Sequence, residues 1–178
     1  MTDLLRPGPG EFDPYYQTYI SLTEGKNPLL LLRENLGKVL TYFADAEESK
    51  MNSRYAEGKW TAKEVIGHIM DCERIFTYRI LRIARGDKTP LPGFDENEYA
   101  PNSGFTARPM ASILREYKSM RESNLDFLET LLPEDLTKSG IANDRNISVR
   151  ALISILPGHE IHHMRVLRDR YGLSGLEI

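Results

Sequence analysis

Four stretches of this chain begin on a helix-start signal, a capping residue or a proline, and then carry apolar residues three and four apart, and that repeated punctuation constrains the fold more than any other feature. In the first, Asn27 stands as N-cap before Pro28, whose missing N–H costs nothing at the first helical position. Leu29, Leu32, Leu36, Val39, Leu40 and Phe43 then share one face, which predicts a helix to about residue 48. The second opens on Thr61-Ala-Lys-Glu64, a capping box flanked by Trp60 and Val65 as a hydrophobic staple, and runs to about Arg85 before Gly86 stops it. A third helix begins near Pro109 and turns Ile113, Tyr117, Met120, Phe127, Leu128 and Leu131 inward. The fourth has Ser148 as its cap, Ile147 and Leu152 as its staple, and Gly172 beyond its C-terminus. No segment shows sustained period-two alternation with β-branched enrichment, so the expected fold class is all-α, a four-helix bundle. The residues from Gly86 to Arg108, rich in Pro, Gly, Asp and Asn, join the second helix to the third. A connection that long in a compact domain is usually functional or disordered, and Leu91, Phe94, Tyr99 and Phe105 predict an ordered cover anchored on the bundle.

A length of 178 residues fits a single domain, residues 1–178, large enough to bury a core without staples. The net charge of −3 supplies no field for gripping nucleic acid. Arg82, Arg85, Arg168 and Arg170 stand at helix C-termini, where they complement the helix dipole. The single cysteine, Cys72, excludes an intramolecular disulfide and suits a reducing compartment. Met1–Phe12 shows no apolar leader core, and the leucine run from Leu29 to Leu32 is too short to span a bilayer. The expectation is a cytoplasmic protein with neither a nucleic-acid nor a membrane partner.

All four histidines fall on two of the four predicted helices. Turning each residue by about 100° places His159 and His163 in the middle of the fourth helix's apolar arc, roughly 40° apart and one turn from each other. His162 falls at the edge of that arc. His68 lies on the flank of the apolar arc of the second helix, among Val65, Ile69, Cys72 and Phe76. One inward histidine is usually a satisfied core residue. Three on facing arcs point instead to one divalent metal ion held by His68, His159 and His163, with coordination positions left open for water or substrate. Imidazole donors suit zinc, nickel, copper or iron(II), zinc and nickel first.

His159-Glu160-Ile-His-His163 also satisfies H-E-x-x-H, the zinc-protease helix signature. No G-x-x-H continuation follows and the only later glutamate is Glu177, so the third ligand comes from upstream, where His68 supplies it. Glu160, about 60° from His163, is a candidate acid or base beside the metal as well as a plain helix glutamate. Glu73 projects into the arc of the second helix and needs a cation or a proton. Arg79 and Arg121 are candidate partners for it, and an acid–base role near the metal is the alternative. Cys72, one turn after His68, reads either as a buried small hydrophobe or as a soft fourth ligand. Asn124 reads as a satisfied core amide, while Tyr99, Glu96 and Glu98 in the long connection are candidates for touching substrate. Pro157-Gly158, directly before His159, should kink the fourth helix, because proline removes the hydrogen bond to the Ile153 carbonyl.

The chain resembles the DinB/YfiT-like superfamily of metal-dependent bundle proteins. The resemblance rests on the run from Gly58 through Lys59, Trp60 and Thr61 to His68, on Asp71-Cys-Glu-Arg74, and on Ser148-Val-Arg-Ala-Leu152 with His159-Glu-Ile-His-His163. It extends to Gly8-Pro-Gly-Glu11 and to the Gly86–Asp95 loop. What it implies is a four-helix bundle, commonly a homodimer, whose metal ligands are by position His68, His159 and His163. It also implies an enzyme class in which some relatives transfer or isomerise with low-molecular-weight thiols. The expected function is therefore thiol transfer to a small electrophilic substrate at the three-histidine site. A metal-dependent hydrolase and a non-catalytic metal-binding stress-response module are the alternatives.

Overall fold

A computed structural model describes residues 5–178; the first residues of the Met1–Phe12 stretch lie outside the described residues. A 3-10 turn, Pro14–Tyr16, leads into the short helix α1, Gln17–Ser21. There follow α2, Pro28–Phe43, α3, Glu48–Met51, and α4, Ala62–Ala84. Helix α5, Glu96–Asn102, a 3-10 turn at Phe105–Ala107, and α6, Met110–Leu128, come next. The chain then forms α7, Pro133–Leu136, the strands β1, Ser139–Ala142, and β2, Arg145–Ser148, and finally α8, Val149–Arg170. Among the described residues no helix is long and apolar enough to cross a membrane.

The four long helices are the four expected, three of them begun on a side-chain cap and α6 after Pro109. Asn27 accepts from the Leu29 and Leu30 amides, Thr61 and Glu64 close their capping box, and Ser148 accepts from the Ala151 amide. In the bundle α2 packs on α6 and α8, and α4 packs on the same two, so the contacts close a ring of four. Helix α2 ends earlier than expected, at Phe43. Asp45, Glu47 and Glu48 would oppose the dipole at its C-terminus, and the chain turns back to bury Met51.

To the helical bundle the chain adds one small element, an antiparallel hairpin of β1 and β2 before α8. Asn143 and Asp144 make its two-residue turn with φ of 52° and 59°, the left-handed pair that matches the twist of a tight hairpin. The strands have four residues each, too short for an alternating pattern to show. The long connection is ordered: Leu91 exchanges backbone hydrogen bonds with Ile141 and Asn143, and Leu91 and Phe105 are buried. Phe94 is half-buried, whereas Tyr99, expected as an anchor, is exposed.

Two glycines set how closely these pieces approach. A Cβ on Gly158 would fall 2.1 Å from the backbone oxygen of Tyr19, so α1 lies directly against α8 there. Helix α8 runs through Pro157, and the Pro157-Gly158 pair is the seat of α1. A Cβ on Gly67 would strike the Phe105 ring at 2.2 Å, which brings the connection down onto α4 one residue before His68.

A buried polar cluster ties the four long helices together. Arg121 of α6 donates to Glu73 of α4 (2.7 Å), to Glu160 of α8 (2.8 Å) and to the Leu32 carbonyl of α2 (2.9 Å). Asn35 and Tyr117 complete the contacts of Glu160, and Asn124 donates to Glu73 (3.0 Å). Burial, and then the neighbouring Glu73, push the Glu160 carboxyl well above the usual range. The cluster therefore sets one guanidinium between two carboxyl groups, of which Glu160 favours its proton.

Candidate metal centre

His68 enters from the first half of α4, His159 and His163 from the middle of α8, and the packing of these two helices brings the rings together. The Nε2 atoms of His68 and His159 lie 3.1 Å apart. The His163 ring centroid is 4.7 Å from that of His68 and 4.4 Å from that of His159. His68 and His159 are buried, and His163 is half-buried. His162 lies outside this arrangement, half-buried with its ring against Tyr19.

The donor set fits a divalent metal. Two imidazoles bound at about 2.0–2.1 Å to one ion bring their nitrogens roughly 3 Å apart, as the 3.1 Å separation here does. All three rings favour the neutral form that coordinates: burial is the main cause, holding His68 down to about 4, His163 to about 2, and His159 well below its ordinary value. Among the described residues His68, Cys72 and His159 form a group in which one ligand atom of each lies within 4.8 Å of the others; His163 is outside that group. Cys72 Sγ is 3.6 Å from His68 Nδ1 and 3.7 Å from its Nε2, so the thiol lies against both nitrogens of that ring. Burial pushes its pKa up, which keeps it a thiol unless a metal takes its proton.

The two carboxylates expected as acid–base candidates face the polar cluster. Every hydrogen bond of Glu73 is with Arg121 or Asn124. Those of Glu160 are with Asn35, Tyr117 and Arg121, so this carboxyl braces α8 behind His159. Of the two arginines weighed for Glu73, Arg121 is the partner and Arg79 is not.

A cavity of about 140 Å³ opens on the histidines. Tyr16, Tyr19, Trp60, Phe76 and Phe94 supply apolar wall, and Arg79, Glu96 and Asn143 supply polar groups. Trp60 packs on His68 with centroids 4.9 Å apart, and Tyr19 stands edge-on to His159 at 5.3 Å. Glu96, half-buried, is the cavity's carboxylate; Tyr99 and Glu98 are exposed and line a different surface depression. The N-terminal tyrosines went unseen in the sequence reading because α1 has only five residues, too few for a periodicity. Asn143 gave a usable signal, since Asn-Asp between two short apolar runs is a hairpin turn.

The profile of the DinB superfamily matches residues 31–167, from α2 to the last turns of α8. The chain belongs to the DinB superfamily. Within it, this chain is similar to the solved structure of YfiT from Bacillus subtilis, with a TM-score of 0.70 over 96% of this chain and 95% of that one. YfiT is described as a probable metal-dependent hydrolase with an unusual four-helix bundle topology. At 18% identity the likeness establishes the shared bundle. A search of curated proteins finds no match to the sequence.

Proposed function

We propose that this DinB-superfamily protein is a metal-dependent enzyme acting on a small molecule, with the ion held by His68, His159 and His163. The observation that carries the reading is the 3.1 Å approach of two buried imidazole nitrogens, with a third imidazole against both, at the floor of a cavity. The description of YfiT as a probable metal-dependent hydrolase supports the metal dependence. A divalent ion, zinc or nickel by the donor set, would supply Lewis acidity and bring the pKa of a bound thiol or water toward neutrality.

Thiol transfer is the leading form of the reaction: the thiol gives up its proton to solvent, its sulfur bonds to an electrophilic carbon, and the leaving group departs with its electron pair. The cavity suits it, because its aromatic wall excludes water from a reactive thiolate. Glu160 and Glu73, held by Arg121, have no hydrogen bond in the cavity with which to serve as base. Hydrolysis is the second reading, favoured by the description of YfiT, and Glu96 is then the carboxylate placed to take a proton from water. A homodimer belongs to the same proposal, and light scattering reads it directly.

Purified chain exposed to zinc or nickel should retain one ion per protomer, and His159→Ala should release it, as elemental analysis shows. Zinc-loaded chain should then conjugate a thiol to a model electrophile, with chelation abolishing the rate. Ester hydrolysis that needs zinc and fails in Glu96→Gln would instead select the hydrolase. Tight metal with neither activity would select the non-catalytic module.

A further inference from the structure

Arg79 is 3% exposed, and among the described residues its one side-chain hydrogen bond is from Nη2 to the Pro92 carbonyl, at 2.8 Å. Among the described residues no carboxylate pairs with it; Glu73, six residues earlier on the same helix, is engaged by Arg121. A guanidinium removed from water without an anion is costly, and buried charges are almost always paired. This one lines the cavity of the histidine cluster. Phe76 neighbours both, its ring centroid 6.0 Å from that of His159 and 5.7 Å from Arg79 Cζ, which lies over the ring.

We propose that Arg79 is a specificity residue that binds a carboxylate of the substrate at the end of the cavity away from the histidines. The inference rests on the metal-site reading and adds the substrate class: a small molecule with a metal-binding group at one end and a carboxylate a few bonds away. A neutral histidine set carrying a divalent ion, with Arg79 beside it, makes the cavity cationic, and the Glu96 carboxylate alone does not offset that charge. The guanidinium offers a planar fork, the geometry that carboxylates accept with two parallel hydrogen bonds. Its contact with Pro92 fixes one arm of the fork against the connection between α4 and α6, which orients the rest.

The test uses the full chain, metal-free and zinc-loaded, with mercaptobutyrate and its uncharged counterpart mercaptobutanol as probes. Fluorescence of Trp60, the chain's only tryptophan and part of the cavity wall, is the readout. Wild type should bind mercaptobutyrate about tenfold more tightly than mercaptobutanol, and Arg79→Gln should bring the two within about twofold. Arg79→Lys keeps the charge without the fork and should retain part of the preference. Equal affinities in wild type, a comparison that needs no variant to fold, overturn the proposal. So does a preference undiminished in Arg79→Gln, or displacement of mercaptobutyrate by inorganic phosphate but not by acetate. Zinc content separates this outcome from that of the metal site. A chain that holds no zinc yet prefers the carboxylate keeps Arg79 and sinks the metal, while one that holds zinc without the preference does the reverse.

Discussion

Arg121 donates to two buried carboxyl groups at once and also to a carbonyl of α2, so its loss leaves acceptors unpaired in the centre of the bundle. Arg121→Met should cost about 3–5 kcal/mol, because two buried carboxyl groups are left without the cation they share. Arg33, paired with Glu129 on the surface, is the comparison; Arg33→Met should cost less than about 1 kcal/mol. Urea unfolding of the two variants checks the contrast, and similar midpoints would show that the cluster is not what holds the helices in register. The same pair of arginines, Arg79 and Arg121, shows what a sequence reveals of a site. Helical projection placed His68, His159 and His163 on facing arcs, because direction around one helix follows from spacing alone. It placed Arg79 and Arg121 near inward arcs as well, but which of them meets Glu73 depends on how α4 and α6 are offset along their axes, and spacing within a helix does not encode that.

Capping signals made the long helices legible because each signal is complete within a few residues, as with Thr61 and Glu64. The shorter pieces, α1 and the hairpin, were not legible: they are held by contacts distant in sequence, such as the Leu91 pairing with β1 and the seat of Tyr19 on Gly158. That seat makes a prediction about elements. Gly158→Ala should cost about 1–3 kcal/mol by forcing α1 off α8, and the displaced Tyr19 should alter Trp60 fluorescence across the cavity. Gly37, exposed in α2 with open space around its Cα, is the counterpart, and Gly37→Ala should stabilise by up to about 1 kcal/mol. If both substitutions shift the unfolding midpoint alike, close approach at Gly158 is not the cause.

The stability of the whole molecule should depend on acid through Glu11, which joins the N-terminal segment to the start of α8. Its carboxylate accepts from Arg150 Nε (2.7 Å) and Ser148 Oγ (2.8 Å), and its carbonyl accepts from the Ser148 amide. The Arg150 hydrogen bond is the main reason its pKa lies below the ordinary 4.5. A depressed carboxylate contributes stability in full above its unfolded value, and that contribution is lost as the pH falls through the folded one. Glu11→Gln should therefore lower stability at neutral pH and lose less than wild type on acidification below about pH 4.5. Urea midpoints across that range give the answer, and parallel curves would reject the assignment. The N-terminal segment also divides the labour of the pocket. The histidines belong to α4 and α8, whereas Tyr16 and Tyr19 come from a piece of chain attached at Gly158 and through Glu11. Natural variation or laboratory recombination can thus exchange residues between Phe12 and Asn27 and remodel what the cavity admits without altering a single ligand, provided the glycine seat and the carboxylate clasp are kept.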